Sequence, residues 1–178
     1  AQGKVKLPAM MGDHMVLQQN SSVKLWGRAD GKKVTITTSW NNRTYRTSTD
    51  KDGNWLVKVD TPAGGYTPYS ITISDGTPVT LSDILIGEVW ICSGQSNMEM
   101  RMMGNSAQPV DNSLETILNA GNYRDRIRFI TVPRIKDIQK RTDFEGKKWE
   151  VSSPETTIDC SATGYFFAKQ LTQSLNLP

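Results

Sequence analysis

The stretch from Gly87 to Met100 constrains the fold of this 178-residue chain more than any other. From Ile84 to Cys92 nearly every residue is apolar, β-branched or aromatic, the pattern of a strand buried on both faces of a parallel sheet. Small polar residues then follow in the order Ser-Gly-Gln-Ser-Asn. Open α/β sheets bind their ligands in the crevice beyond the carboxyl ends of the strands. The stretch therefore predicts an α/β domain with a polar site around Ser96.

Ser96 is the candidate nucleophile of that site. A serine hydroxyl attacks an ester only when a neighbouring base takes its proton, and the resulting oxyanion needs hydrogen-bond donors close by. Gly94, two residues earlier, lets the backbone turn sharply and approach a substrate. The nucleophile elbow of α/β-hydrolases, Gly-x-Ser-x-Gly, requires a second glycine where this chain has Met98. An ordinary α/β-hydrolase is therefore disfavoured.

Several segments of the chain resemble one family of esterases. The residues Gly87 to Trp90 and Ser93 to Glu99 resemble the nucleophile block of the sialate O-acetylesterase family, a branch of the SGNH (GDSL-like) hydrolases. Leu7 to Gln19 is similar to the start of the same family. Later matches are Trp149 to Val151 with Ser153 to Thr156, and Gly164 to Ala168. The resemblance thus extends over essentially the whole chain.

The resemblance implies an esterase that removes acetyl groups from sugars, with sialic acid as the name-giving substrate. In this family the serine matching Ser96 attacks the acetyl carbonyl, and its own backbone N–H is one oxyanion donor. The neighbours Gly94, Gln95 and Asn97 then form the scaffold of the site. Further oxyanion donors and an Asp-x-x-His pair belong to family blocks that would follow Pro178. No metal or organic cofactor is implied.

The histidine content agrees with the expected absence of the later catalytic blocks. The sequence holds one histidine, His14, in a segment to which the resemblance assigns no catalytic role. We therefore expect no catalytic histidine or aspartate in these residues, and an enzyme that is incomplete alone. A second chain or a further carboxyl-terminal portion would complete the active site.

Other functions remain open at this stage. The chain is also compatible with a glycan-binding module in which the serine site is idle, or with a structural module without activity. Within the esterases, other acetylated glycans such as xylan are alternative substrates.

The first 82 residues predict a small β-sandwich. Apolar and polar residues alternate in short runs between Val23 and Leu81, and glycine, aspartate or asparagine separates the runs. Asp52-Gly53 is typical of a hairpin turn. Three tryptophans of this region could pack in the core or carry a sugar ring, and core packing is the preferred interpretation. They are Trp26, Trp40 and Trp55.

Residues 83–178 predict the first part of an SGNH-type parallel α/β/α domain. Asp111-Asn112 could cap a helix that ends at Gly121. Ile127 to Val132 then indicates a second buried strand, and the order strand, helix, strand is typical of a parallel crossover. A last helix is predicted to begin at Ser161 or Thr163.

Charge and hydropathy exclude some partners. The net charge of +3 comes from scattered residues, with a modest basic cluster between Arg124 and Lys148 that acidic residues interrupt. No recognition motif accompanies the cluster, so we predict a solvated surface and no nucleic-acid binding. An arginine grip on an acidic sugar is the alternative. No apolar run is long enough to span a membrane.

The chain start and the cysteines give two further expectations. The first residues show no signal peptide, and the resemblance favours an exported, periplasmic or extracellular protein whose signal has been removed. Cys92 is predicted to be a small buried residue of the strand, and pairing with Cys160 stays open.

Overall fold

A computed structural model describes residues 5–178 of the chain. Its first part contains two β-sheets. The larger is a five-stranded mixed sheet with the strand order β1-β7-β6-β3-β4, and the smaller is the antiparallel pair β2-β5. The strands are β1 (Val16–Gln18), β2 (Ser22–Arg28), β3 (Lys33–Thr38), β4 (Arg43–Ser48), β5 (Asn54–Asp60), β6 (Gly65–Ser74) and β7 (Pro78–Gly87).

The two sheets enclose one hydrophobic core. Alternate residues of each strand point inward, as the period-two pattern predicts, so that Ile36 and Ile73 of the large sheet are fully buried. Leu25 and Val59 contribute from the small sheet. Trp55 is also buried in this core, Trp40 packs at its edge, and Trp26 is exposed. Core packing is therefore correct for Trp55 and wrong for Trp26.

The Asp52-Gly53 turn is present, but it does not form a hairpin between paired strands. Asp50 closes the turn by donating its N–H to the carbonyl of Asn54 over 2.8 Å. The strand before the turn, β4, pairs with β3, whereas β5 pairs with β2. The turn therefore carries the chain from one sheet to the other.

The predicted strand from Ile84 to Cys92 is wrong in its second half. Ile84 to Ile86 are buried in β7, which pairs antiparallel with β6 and parallel with β1. The strand ends at Gly87, and the residues after it form no strand. Trp90 is 59% exposed and Ile91 is 91% exposed, because no strand of the described residues pairs with this segment. Its β-type sequence is therefore extended without a sheet around it.

The second part of the chain is mainly short helices and loops. Its elements are α1 (Ser96–Glu99), α2 (Ser113–Leu118), a 3-10 helix (Ala120–Tyr123), β8 (Arg128–Phe129), β9 (Glu150–Val151), α3 (Pro154–Thr157) and α4 (Ala162–Leu175). A second core lies between them, centred on Met102 and Tyr165. The predicted helix after Asn112 is confirmed, although Asn112 caps it without a side-chain hydrogen bond. Its predicted end at Gly121 is wrong, because α2 ends at Leu118 and Gly121 lies in the 3-10 helix that follows.

The predicted parallel crossover is not present among the described residues. The expected strand from Ile127 to Val132 is reduced to the two residues of β8, which pairs antiparallel with β9. Val132 is exposed, because no neighbouring strand covers it. The SGNH-type arrangement of residues 83–178 stays a prediction. So does the division of the chain at residue 82, and β7 continues across that position.

The last helix confirms its predicted start. Ser161 is the N-cap of α4, and its hydroxyl accepts a hydrogen bond from the N–H of Gly164 over 3.2 Å. No helix among residues 5–178 has the length and hydropathy that a membrane crossing requires.

Candidate active site around Ser96

Ser96 opens the short helix α1 at the end of the exposed segment. Its side chain faces solvent. The helix is only one turn long, so the N–H groups at its start have no partner within the helix. Gln95 provides no side-chain cap for them. The Ser96 N–H is therefore free to donate to a ligand, next to the hydroxyl of the same residue.

The backbone around Ser96 is fixed against the beginning of α4. The Thr163 hydroxyl donates to the carbonyl of Asn97 over 2.9 Å, and the Ser161 hydroxyl donates to the carbonyl of Met98 over 2.5 Å. The N–H of Ala162 donates to the carbonyl of Met100 over 2.8 Å. Three consecutive residues of α4 and its cap thus hold the turn that carries Ser96.

The predicted scaffold residues lie in the same turn. Gly94, Gln95 and Asn97 are all exposed next to Ser96. A β-carbon at Gly94 would lie 3.1 Å from Cβ of Met98, closer than most van der Waals contacts. Glycine therefore lets the chain fold tightly back on α1.

The chain enters the site through Glu88, which the opening segment holds in place. Gln19 donates to one Glu88 carboxylate oxygen over 2.8 Å, and Gln18 donates to the other over 3.1 Å. The Gln18 side-chain oxygen accepts from the N–H of Val89 over 3.0 Å. Two segments that resemble the same family from sequence alone thus contact each other directly.

The single histidine is engaged with an acidic residue rather than with Ser96. His14 Nδ1 lies 2.7 Å from the Asp83 carboxylate. The carboxylate can only accept, so Nδ1 carries the hydrogen. Arg128 donates to the other Asp83 oxygen over 3.0 Å and to the carbonyls of His14, over 3.2 Å, and Asp83. Burial alone would raise the pKa of Asp83, but the hydrogen bonds from His14 and Arg128 and the charge of Arg128 hold that pKa below its ordinary value.

Cys92 does not have the buried position that the strand prediction gave it. It is exposed, whereas Cys160 is buried, and both are free thiols. Burial raises the pKa of the Cys160 thiol to about 12. The prediction for Cys92 is wrong because the segment after Gly87 lies outside both cores.

The basic cluster is mostly solvated, as predicted. Residues 134–148 form an irregular exposed segment. Arg128 is the exception, since its side chain is only 2% exposed in its ion pair with Asp83. Within residues 5–178, no group of three or more His, Cys, Asp or Glu side chains is arranged to hold a metal ion.

Comparison with known proteins identifies relatives of this chain. The sialate O-acetylesterase of Rattus norvegicus is 26% identical over 97% of this chain, and the Homo sapiens enzyme is 26% identical over 90%. This chain is a homologue of the sialate O-acetylesterases. The crystal structure of a carbohydrate acetylesterase from Xanthomonas citri superposes on 98% of the chain with a TM-score of 0.87 and 26% identity. No family model matches the chain.

The sialate O-acetylesterases are much longer than the region that aligns. The chain spans 34% of the rat enzyme, 31% of the human enzyme and 39% of the Xanthomonas citri structure. The family resemblance inferred from the motifs is therefore confirmed, over about a third of the relatives' length.

Sequence reasoning missed the residues that position Ser96. Ser161 and Thr163 were identified only as candidate helix starts, and nothing in their spacing indicated a contact with Asn97 or Met98. The available signal in the sequence was a second hydroxyl residue, Thr163, two positions after the N-cap residue Ser161. It became meaningful only when the fold brought α4 against α1.

Proposed function

We propose that this chain carries the nucleophile of a carbohydrate O-acetylesterase whose preferred substrate is an O-acetylated sialic acid. The observation that carries the proposal is the exposed Ser96 at the start of α1, with its free backbone N–H, in a homologue of the sialate O-acetylesterases. In the proposed reaction Ser96 Oγ attacks the acetyl carbonyl while a base removes its proton. The tetrahedral oxyanion accepts a hydrogen bond from the Ser96 N–H.

The second half of the reaction releases acetate. Collapse of the tetrahedral intermediate breaks the bond to the sugar oxygen, which takes a proton from the protonated base and leaves as a hydroxyl, so that Ser96 stays acetylated. Water, deprotonated by the same base, then attacks the acetyl carbon. The bond to Ser96 Oγ breaks, acetate leaves, and Ser96 Oγ takes the proton back from the base. No metal or cofactor enters either step.

We propose that the base comes from outside the described part of this chain. His14 is the one histidine of the sequence, and its Nδ1 is hydrogen-bonded to Asp83 rather than to Ser96. We propose that residues of a longer parent protein, or of a second chain, supply the histidine, its aspartate and further oxyanion donors. The exposed apolar segment at Trp90 and Ile91 supports this, because a partner strand would cover it.

Two serines of the exposed segment allow a matched test. Ser96→Ala and Ser93→Ala each remove one serine hydroxyl, at positions three residues apart. In the protein extended to the length of its relatives, we expect Ser96→Ala to abolish hydrolysis of an aryl acetate and Ser93→Ala to retain it. Near-normal turnover by the Ser96 variant would refute the assignment. Intact mass of the unaltered protein and both variants after treatment with an organophosphonate then shows whether the adduct depends on Ser96.

The dependence on a missing base has its own test. We expect the 178-residue chain alone to show neither aryl acetate hydrolysis nor a phosphonate adduct, and the extended protein to show both. Activity of the chain alone would mean that His14 or a second copy provides the base. Parallel assays on O-acetylated sialoglycans and acetylated xylan decide between the two substrate classes.

Export of the parent protein is a further part of the proposal. It rests on the resemblance to exported glycan-processing enzymes. Cell fractionation of the native host, followed by detection of the protein outside the cytoplasm, tests it.

A further inference from the structure

A polar hollow lies between the segment around the 3-10 helix and the carboxyl-terminal half of α4. It is open to solvent and has a volume of about 450 Å³. Six residues line it, from the segment around the 3-10 helix and from α4. They are Asn119, Asn122, Tyr123, Arg126, Lys169 and Gln173.

The hollow carries two positive charges without a compensating carboxylate. No aspartate or glutamate lines it, and within residues 5–178 neither Arg126 nor Lys169 forms an ion pair. Arg101 and Arg134, by contrast, each pair with an acidic side chain. Two unneutralised cations in one concave surface attract an anion.

Arg126 is held in place by neutral partners. Its Nη1 donates to the Tyr66 hydroxyl over 2.9 Å and to the Asn176 side-chain oxygen over 3.3 Å. Its guanidinium also stacks 4.8 Å from the centre of the Tyr66 ring. These contacts involve one nitrogen, so Nη2 and Nε keep their N–H groups for a ligand. A guanidinium fixed in this way can bind a carboxylate through two parallel hydrogen bonds.

Two residues of α4 in the hollow also contact Tyr123. Lys169 Nζ lies 5.6 Å from the centre of the Tyr123 ring. Gln173 donates to the Tyr123 hydroxyl over 2.7 Å. The hollow thus combines a cation, an aromatic ring and side-chain amides, which suit the carboxylate, the apolar face and the hydroxyls of a sugar.

We propose that this hollow binds the carboxylate of an acidic sugar residue in a negatively charged glycan. The proposal rests on the proposed function for its choice of a sugar. The two unpaired cations and the side-chain amides are the reason for proposing a carboxylate as the bound group. Neutral glycans would lack the group that Arg126 and Lys169 recognise.

The test is an NMR titration of the isotopically labelled 178-residue chain. The α-methyl glycoside of sialic acid is the probe, with methyl N-acetylglucosaminide as the neutral control and inorganic phosphate as the simple anion. We expect the acidic sugar alone to shift the backbone signals of residues 119–126 and 169–173 in a saturable way. Equal binding of the neutral sugar, tighter binding of phosphate, shifts elsewhere, or no saturable shift would each overturn the proposal.

Variants separate the hollow from general surface charge. Lys169→Gln removes one cation without touching the Arg126 contacts, and we expect it to weaken sugar binding at least about fivefold. Arg124→Gln removes an exposed charge that does not line the hollow, so binding should be unchanged. Equal affinities of the Lys169 variant and the unaltered chain would refute the site.

The outcome is independent of catalysis. The probe sugars carry no acetyl ester, and Ser96→Ala should bind them as the unaltered chain does. A failed titration would therefore remove the sugar site and leave the acetylesterase proposal standing. Loss of the Ser96 assignment in the activity assay would leave a measured sugar affinity intact.

Discussion

Asp83 accepts a hydrogen bond from His14 over 2.7 Å and, through its other oxygen, binds the buried guanidinium of Arg128 over 3.0 Å. Both His14 and Asp83 have left-handed backbone conformations, with φ of 68° and 56°. Such conformations cost energy in non-glycine residues and persist only where surrounding contacts impose them. Arg128 provides those contacts, since it also binds the carbonyls of both residues. The ion pair therefore joins β8 of the second part of the chain to the β-sheet unit.

Asp83→Asn should destabilise the protein by about 1–3 kcal/mol. The substitution leaves the Arg128 charge buried without its counter-ion, and an uncompensated buried charge is costly. Urea unfolding measures the effect. Asp60→Asn is the matched control, because Asp60 pairs with Arg43 where both side chains are largely exposed, and such pairs contribute about 0–1 kcal/mol. Equal effects of the two substitutions on the free energy of unfolding would show that the Asp83–Arg128 pair stabilises the fold no more than an exposed pair does.

The same carboxylate predicts a loss of stability in acid. The pKa of Asp83 lies below its ordinary value of 3.8, although burial opposes this, because His14 and Arg128 bind the charged form. Its contribution is thus complete above pH 3.8 and disappears as the pH falls through the lower folded-state pKa. Asp50, Asp137 and Glu155 also have lowered pKa values. The test is therefore the difference in unfolding free energy between the unaltered chain and Asp83→Asn, which should narrow as the pH falls below about 3.8.

The sequence predicted the β-sheet unit better than the second part of the chain. Alternation of apolar and polar residues depends only on which face of a strand meets the core, so it correctly indicates β2, β3 and β5. The pairing of β4 and β5 with different sheets depends on distant strands, and the turn sequence at Gly53 did not reveal it. Local patterns fix the faces of strands, while partners are chosen by the whole fold.

The segment after Gly87 shows most directly what the sequence alone cannot predict. Its composition correctly indicates an extended chain, but burial requires neighbours that the described residues do not provide at Trp90 and Ile91. The motif around Ser96 was found from residue types at fixed spacing. The contacts from Ser161 and Thr163 could not be found in that way, because they join residues more than sixty positions apart.

The two cysteines should differ sharply in reactivity. Cys92 is exposed, whereas burial removes Cys160 from solvent and raises its pKa to about 12, which disfavours the reactive thiolate. Under native conditions near pH 8, a disulfide reagent such as Ellman's should modify one thiol per chain. Cys92→Ser should abolish this reaction and Cys160→Ser should preserve it. In denaturant the unaltered chain should show two reactive thiols, and rapid native modification of both would contradict the burial of Cys160.

Ser161→Ala should weaken both α4 and the turn that carries Ser96. The Ser161 hydroxyl accepts from the N–H of Gly164 over 3.2 Å and donates to the carbonyl of Met98 over 2.5 Å, so one substitution removes a helix cap and a tertiary contact. Loss of an N-cap serine costs about 1 kcal/mol, and the second hydrogen bond adds a similar amount, giving about 1–2 kcal/mol in urea unfolding. Ser174→Ala is the control. That exposed serine near the end of α4 only accepts a hydrogen bond from Gln170 over 3.2 Å, so its loss should change stability by less than about 0.5 kcal/mol.

Hydrogen exchange locates the change caused by Ser161→Ala. The amide of Met100, which donates to the carbonyl of Ser96 over 3.0 Å, should exchange faster in the Ser161 variant than in the Ser174 variant. Unchanged exchange at Met100 would mean that the contact with Met98 does not hold the Ser96 turn.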